Sequence, residues 1–484
     1  MDYEKYLELN KDEMIFALRD VVRINSEEGE KIMGRNGEVY PFGSGVQEAF
    51  EKVLALGKSM GFRVKNVDNY GGHIDFPGRT DRIMGIIGHL DVVPAGSGWD
   101  FEPYGGELAD GKIYGRGTTD DKGPVISCLY AMKALKDAGY QPECTIRLII
   151  GLDEETEWKG INYYFDHEPK PDFGFTPDAD FPVINGEKGM LIFDFAKKFG
   201  SAQAQSQAQA KGLKLRSIKG GTAPNSVADS CRAVLRSDEE KAYDRIKEMA
   251  AAYREETGYK LNVKGVGKSL EITTTGIAAH GAKPEKGLNA ISIMMDFLGR
   301  LNFVTEDHNE FIEFYNKYIG FCLDGSKIGV DCSDEPSGDL VFNVGMIDVD
   351  SEAGKLTINI RYPVTADGEE ILSRLAAVLD RYDMGLIRGS HKEPIYLDMD
   401  NPMVKLLLEI YRKHTGDTQS QPQVIGGGTY ARSAKNVIAY GALFPGDPDL
   451  MHQKNECITV ERLVQMTKIY AEAIYKLASG EYNN

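Results

Sequence analysis

Residues 83–94 read I-M-G-I-I-G-H-L-D-V-V-P. A short apolar run leads directly into His89, and Asp91 follows two positions later. In an extended chain these two side chains leave the same face, because side-chain direction alternates with period two. A second run, T-I-R-L-I-I-G-L at 145–152, ends the same way, running into Asp153, Glu154 and Glu155. Each stretch reads as a buried strand that delivers polar groups at its end. An isolated His-x-Asp is more often a strand cap beside a loop bond than a pair of ligands, so the surrounding chain has to decide.

Working outward, helices separate these strands. Residues 1–20 read as an amphipathic opening helix and 46–60 as a second, closed by Gly61. Strands are expected at 62–67 and 112–117. Pro124 is tolerated in the first turn of a helix spanning 125–138, which Gly139 closes. Strands alternating with helices indicate an α/β fold whose sheet is covered on both faces. Beyond Asp178 the order changes: after a strand at 189–196 come, in turn, a strand at 270–275, a helix at 288–301, strands at 341–348 and 355–361, a helix at 368–382, and a strand at 385–389. From 270 onward this is a β-α-β-β-α-β, ferredoxin-like order. We therefore expect an inserted α+β lid domain at 187–397, between catalytic segments 1–186 and 398–484. The run S-A-Q-A-Q-S-Q-A-Q-A at 201–210 is low-complexity and expected to form an exposed loop. After the insertion the α/β character returns, with a helix capped by Asn401-Pro402, a strand at 437–444 and a long closing helix at 459–478.

The 484 residues carry 56 basic and 74 acidic side chains, a net charge of −18. That balance argues against nucleic-acid and anionic-membrane partners. Six scattered cysteines without a C-x-x-C pair argue against a disulfide scaffold and a cysteine zinc site. No apolar run is long enough to span a bilayer, and Met1–Asp20 lacks a signal-like apolar core, so the cytoplasm is the expected compartment.

Five stations of histidine and carboxylate stand in the α/β segments: His89/Asp91, Asp120/Asp121, Glu154/Glu155, Asp178 and His452/Glu456. Three follow expected strands, and ligands in open α/β sheets gather beyond the carboxyl ends of strands. Imidazoles and carboxylates without thiolates suit zinc, manganese or cobalt in a hydrolytic site. Two histidines and three carboxylates suffice for two divalent ions sharing a bridging carboxylate.

The blocks G-H-L-D-V-V-P (88–94), G-R-G-T-T-D-D-K-G-P (115–124), D-E-E-T (153–156), F-T-P-D-A-D-F-P-V-I-N-G-E-K-G (175–189), H-G-A-K-P-E-K-G-L-N-A (280–290) and M-H-Q-K-N-E (451–456) occur in one order across most of the chain. The sequence resembles the metallopeptidase family of the aminoacylase and carboxypeptidase G type, and within it the PepV-like dipeptidases. The resemblance implies a catalytic domain with a central mixed sheet and a lid. It assigns His89 and Asp178 to one metal ion, Glu155 and His452 to the other, and Asp120 to both. Glu154 is then the general base for a water bridging the ions, and Asp91 orients His89 through a ring nitrogen. His280 is implied as donor to the oxyanion. Asn225 and Arg361 are implied to hold the substrate's carbonyl and terminal carboxylate. An enlarged lid implies a monomer.

The expected function is a metal-dependent dipeptidase for short unblocked peptides, with zinc foremost and manganese or cobalt as alternatives. An N-acyl amino acid deacylase or desuccinylase, or a peptide binder without catalysis, are the other readings. His73, His167, His308, His391 and His414 lack partner carboxylates in these blocks and read as packing or surface residues, as do Trp99 and Trp158. The turn Gly426-Gly427-Gly428 reads equally as a backbone nest for a carboxylate or as an ordinary helix entry.

Overall fold

A computed structural model describes residues 2–34, 37–200, 211–239 and 241–480; the low-complexity run 201–210 lies outside the described residues. The chain divides into two compact units, Met1–Gly186 with Ile395–Asn484, and Glu187–Pro394. The second boundary falls at Pro394, not 397, because Ile395–Tyr396 pairs with the strand Ile184–Glu187 and Leu397 N donates to Asn185 O.

The first unit is built on a nine-stranded mixed sheet. At its centre Thr80–His89 runs parallel to Cys144–Gly151 on one side and to Phe173–Thr176 on the other. Val437–Ala439 continues the parallel set, while Gly71–Phe76 and Arg63–Val67 close one edge antiparallel. Residues 83–89 and 146–151 are buried without alternation, as expected for strands covered on both faces. The helices Lys122–Asp137 and Val460–Ala478 supply much of the apolar cover. The expected single opening helix is two, Tyr3–Leu9 and Lys11–Val22, because Asn10 leaves helical geometry (φ −95°, ψ 2°) and both closes the first and opens the second.

The second unit carries an eight-stranded sheet with its own apolar core. The expected β-α-β-β-α-β elements are present as Ser269–Thr275, Ala290–Leu298, Val341–Val349, Ala353–Tyr362, Gly368–Leu379 and Gly385–Lys392, with a further helix, Glu306–Tyr318. The sheet is wider than those four strands. Leu213–Gly220 and Ser230–Ser237 lie between Ser269–Thr275 and Val341–Val349, and Gly189–Lys198 lies between Ala353–Tyr362 and Gly385–Lys392. Among the described residues, no helix is long and apolar enough to cross a membrane, and all six cysteines are free thiols.

Candidate metal centre

Three adjacent parallel strands end at one place. Thr80–His89 delivers His89 itself, the chain after Cys144–Gly151 delivers Glu154 and Glu155, and the chain after Phe173–Thr176 delivers Asp178. Thr176 Oγ1 donates to Ile87 O at 2.6 Å, locking two of these strand ends together. Asp120 stands just before the Lys122–Asp137 helix, and His452 precedes the closing strand Cys457–Thr459 with a left-handed backbone, φ 60°.

Asp120 occupies the middle of the group. Its Oδ1 lies 3.0 Å from His89 Nε2 and its Oδ2 lies 3.0 Å from His452 Nε2. His452 Nε2 is also 3.1 Å from Glu155 Oε1, and His89 Nε2 is 3.7 Å from Asp178 Oδ2. Ligand atoms of His89, Glu154 and Asp178 lie within 4.8 Å of one another, as do those of His89, Asp120 and Glu155. The neighbouring Asp121 turns to the backbone, and its Oδ2 accepts the His89 amide at 3.1 Å. Gly88 makes that approach feasible, since a Cβ there would meet Asp121 Oδ2 at 2.6 Å.

His89 Nδ1 meets the backbone carbonyl of Asp91 at 3.0 Å, closer than that residue's Oδ1 at 3.4 Å. Asp91 thus reaches His89 Nδ1 through both its carbonyl and its carboxylate, the carbonyl being the nearer acceptor, and its Oδ2 also accepts the amide of Glu155 at 3.0 Å. Tyr430 packs edge-on against His89, with ring centroids 6.3 Å apart. Its ring fills the space over Gly151, where a Cβ would meet Tyr430 Cε2 at 2.2 Å.

The electrostatics are those of a cluster short of positive charge. Burial pushes the Asp178 carboxyl up to about 7, with Asp120 adding to it. Burial likewise raises the Glu154 carboxyl, reinforced by Asp178, and the Glu155 carboxyl, reinforced by Asp120. Asp120 is also buried, yet the two imidazoles hold it well below the usual carboxylate range. His452 is pushed up to about 11 by hydrogen bonds to Asp120 and then Glu155. Four carboxylates crowd two imidazoles, and hard nitrogen and oxygen donors converge with no thiolate among them. This donor set fits divalent zinc, manganese or cobalt.

Asn225, His280 and Arg361 lie in the second unit. Asn225 is exposed, and its carbonyl accepts the Gly281 amide at 2.7 Å, while Ser226 bridges to His280. These two therefore sit on adjoining loops. Arg361 is buried in Ala353–Tyr362 and donates from Nε to Asn359 Oδ1 at 3.0 Å. Asn359 is registered against Asn343, whose Nδ2 donates to Pro224 O and Ser226 O on either side of Asn225.

Sequence reasoning passed over Arg116, and it named Trp158 and Glu456 without their hydrogen-bond partners. Trp158, read as packing, donates from Nε1 to Glu154 O at 2.7 Å. Arg116 and Glu456 form a buried ion pair at 2.7 Å beside Asp120; both stand inside the quoted blocks, but nothing local marks them as partners. The remaining histidines are engaged elsewhere: His73 with Tyr164, His167 with Tyr163, His308 with Asp350 O, His391 with Tyr362 and His414 with Glu472. None of Gly426, Gly427 and Gly428 has the left-handed backbone that an alternating anion nest requires.

A family model described as peptidase family M20/M25/M40 matches residues 85–476. The chain is 36% identical over 480 residues to YtjP of Bacillus subtilis (strain 168), covering 99% of this chain and 100% of that one. It is 35% identical over 487 residues to a Beta-Ala-Xaa dipeptidase of Lactobacillus delbrueckii subsp. lactis, covering 99% of each. In fold it is similar to aminoacylhistidine dipeptidase of Vibrio alginolyticus, with a TM-score of 0.55, 13% identity and 96% of each chain covered. It is also similar to aminopeptidase PepT of Bacillus cereus ATCC 10987, with a TM-score of 0.53, 16% identity, and 97% and 99% covered. The chain belongs to peptidase family M20/M25/M40 and is a metal-dependent hydrolase of that family.

Proposed function

We propose that this hydrolase is a two-metal dipeptidase that cleaves short peptides with a free N-terminus. The observation that carries the reading is Asp120, whose two oxygens each face a different histidine at 3.0 Å. His89 and Asp178 would hold one ion, Glu155 and His452 the other, with Asp120 shared; zinc suits the donors best, with manganese or cobalt as alternatives. Such a pair supplies Lewis-acid polarisation of the scissile carbonyl and lowers the proton affinity of water.

The chain's own residues do the rest. Glu154 takes the proton from the attacking water on its carboxylate and later delivers one to the leaving amine. Trp158 holds the Glu154 backbone from one side, and Asp91 holds the next amide from the other. Arg361 has the planar fork that binds a carboxylate bidentately, and we assign it, with Asn225, to the substrate's terminal carboxylate and carbonyl. His280 donates to the oxyanion. The Lactobacillus relative's name supports dipeptides as the substrate class. The same reading takes the enzyme as a cytoplasmic monomer with a small peptide as its only partner.

A panel of unblocked dipeptides, an unblocked hexapeptide, and N-acetyl and N-succinyl amino acids tests this. The expected outcome is turnover of the dipeptides and little of the others. Turnover confined to the N-acyl compounds would establish a deacylase instead, and equal turnover of hexapeptide and dipeptide would refute the length limit.

A further inference from the structure

The loop carrying Asp120 is folded around one buried carboxylate. Glu456 is 1% exposed, and its oxygens accept from Arg116 Nη1 at 2.7 Å, Gly117 N at 3.1 Å, Thr119 N at 2.8 Å and Asp120 N at 3.3 Å. The Glu456 carbonyl also accepts the Gly115 amide at 2.9 Å. Arg116, equally buried, reaches further: its amide donates to Pro103 O at 2.8 Å, and its guanidinium lies 5.3 Å from the centre of the Trp99 ring. Trp99 in turn donates to Ala95 O at 2.7 Å, in the loop that follows His89 and Asp91.

One ion pair thus joins the loop after His89, the loop of Asp120 and the segment 452–456 that carries His452. A buried ion pair is weak grounds for stability, because well-packed apolar groups of the same volume often serve as well. Apolar groups could not gather the amides of Gly117, Thr119 and Asp120 at a single point. We propose that Arg116 and Glu456 are positioning residues that seat Asp120 between His89 and His452, and so set the affinity of the centre for its second divalent ion. The inference rests on the two-metal reading above. Neither residue touches substrate, and their effect passes through Asp120.

The test is a zinc titration of chelator-stripped protein in competition with a chromophoric chelator, read for unmodified protein, E456Q and R116K, each with a thermal melt. E456Q keeps the side-chain shape but leaves Arg116 without a counter-charge; R116K keeps the charge but loses the planar donor. The expected result is two ions bound by unmodified protein and, in each variant, about 10–100-fold weaker binding of the weaker-held ion, the scale seen when groups behind metal ligands are removed. With zinc saturating, dipeptide KM should stay near the unmodified value. Unchanged affinity for both ions in a variant that merely melts lower overturns the proposal. If E456Q fails to fold, R116K carries the same two outcomes. Fewer than two ions on unmodified protein overturns the two-metal reading itself, a failure distinct from that of the clamp.

Discussion

Asp91 shows how one residue aligns two strand ends: its carbonyl meets His89 Nδ1 at 3.0 Å, and its carboxylate holds the amide of Glu155 at 3.0 Å. Period two alone suggests that His89 and Asp91 face one site together, but not that a backbone carbonyl is the closer partner. That choice depends on how the chain turns after the strand. Glu154, within the same group of donors, is the residue whose removal most cleanly separates binding from chemistry. Glu154→Gln should lower kcat by about 10²–10⁴-fold, the usual worth of a general base, while the zinc content of purified protein stays unchanged. Steady-state kinetics beside metal analysis checks this; unchanged kcat would remove Glu154 from the base role.

At the scale of elements, two of the strands that end in chemistry, Thr80–His89 and Cys144–Gly151, were legible because each reads as an apolar run followed at once by a histidine or carboxylate. The four residues of Phe173–Thr176 are too short to show a period. The neighbours of those strands were not legible. The second unit's sheet places Leu213–Gly220 and Ser230–Ser237 beside strands far along the chain, and antiparallel pairing at such separation leaves no mark in local periodicity. The Arg116–Glu456 pair was invisible for the same reason, since 340 residues separate its partners. Strand pairing also explains His73, on Gly71–Phe76. It is 5% exposed, with Nδ1 at 2.8 Å from Tyr164 OH, and burial, with Arg147 second, pushes it down to about 4. A histidine that stays neutral when folded but takes a proton near pH 6.5 when unfolded contributes stability above that pH. The contribution is lost as pH falls from 6.5 toward 4, about 2 kcal/mol between pH 7 and 5. Denaturant titrations at the two pH values should show this loss, and His73→Phe should lose correspondingly less. An equal acid loss in both proteins would contradict the assignment.

Across the whole molecule, the order of the quoted blocks conveyed more than composition did. A net charge of −18 argued against nucleic-acid and anionic-membrane partners but pointed to none, whereas six blocks in one order implied the family to which the chain proves to belong. The blocks are legible because each puts a ligand-type side chain at a strand end or loop that the sheet must bring together. Asp120, facing His89 and His452 at 3.0 Å each, is proposed to share two ions in one active site. The direct measurement is dipeptide turnover by chelator-stripped protein as zinc is added stepwise, with protein far above the dissociation constants. Two ions acting together predict negligible turnover at zero zinc and a rise that reaches its plateau at two ions per chain. A plateau at one ion per chain, or undiminished turnover in the stripped protein, would contradict it.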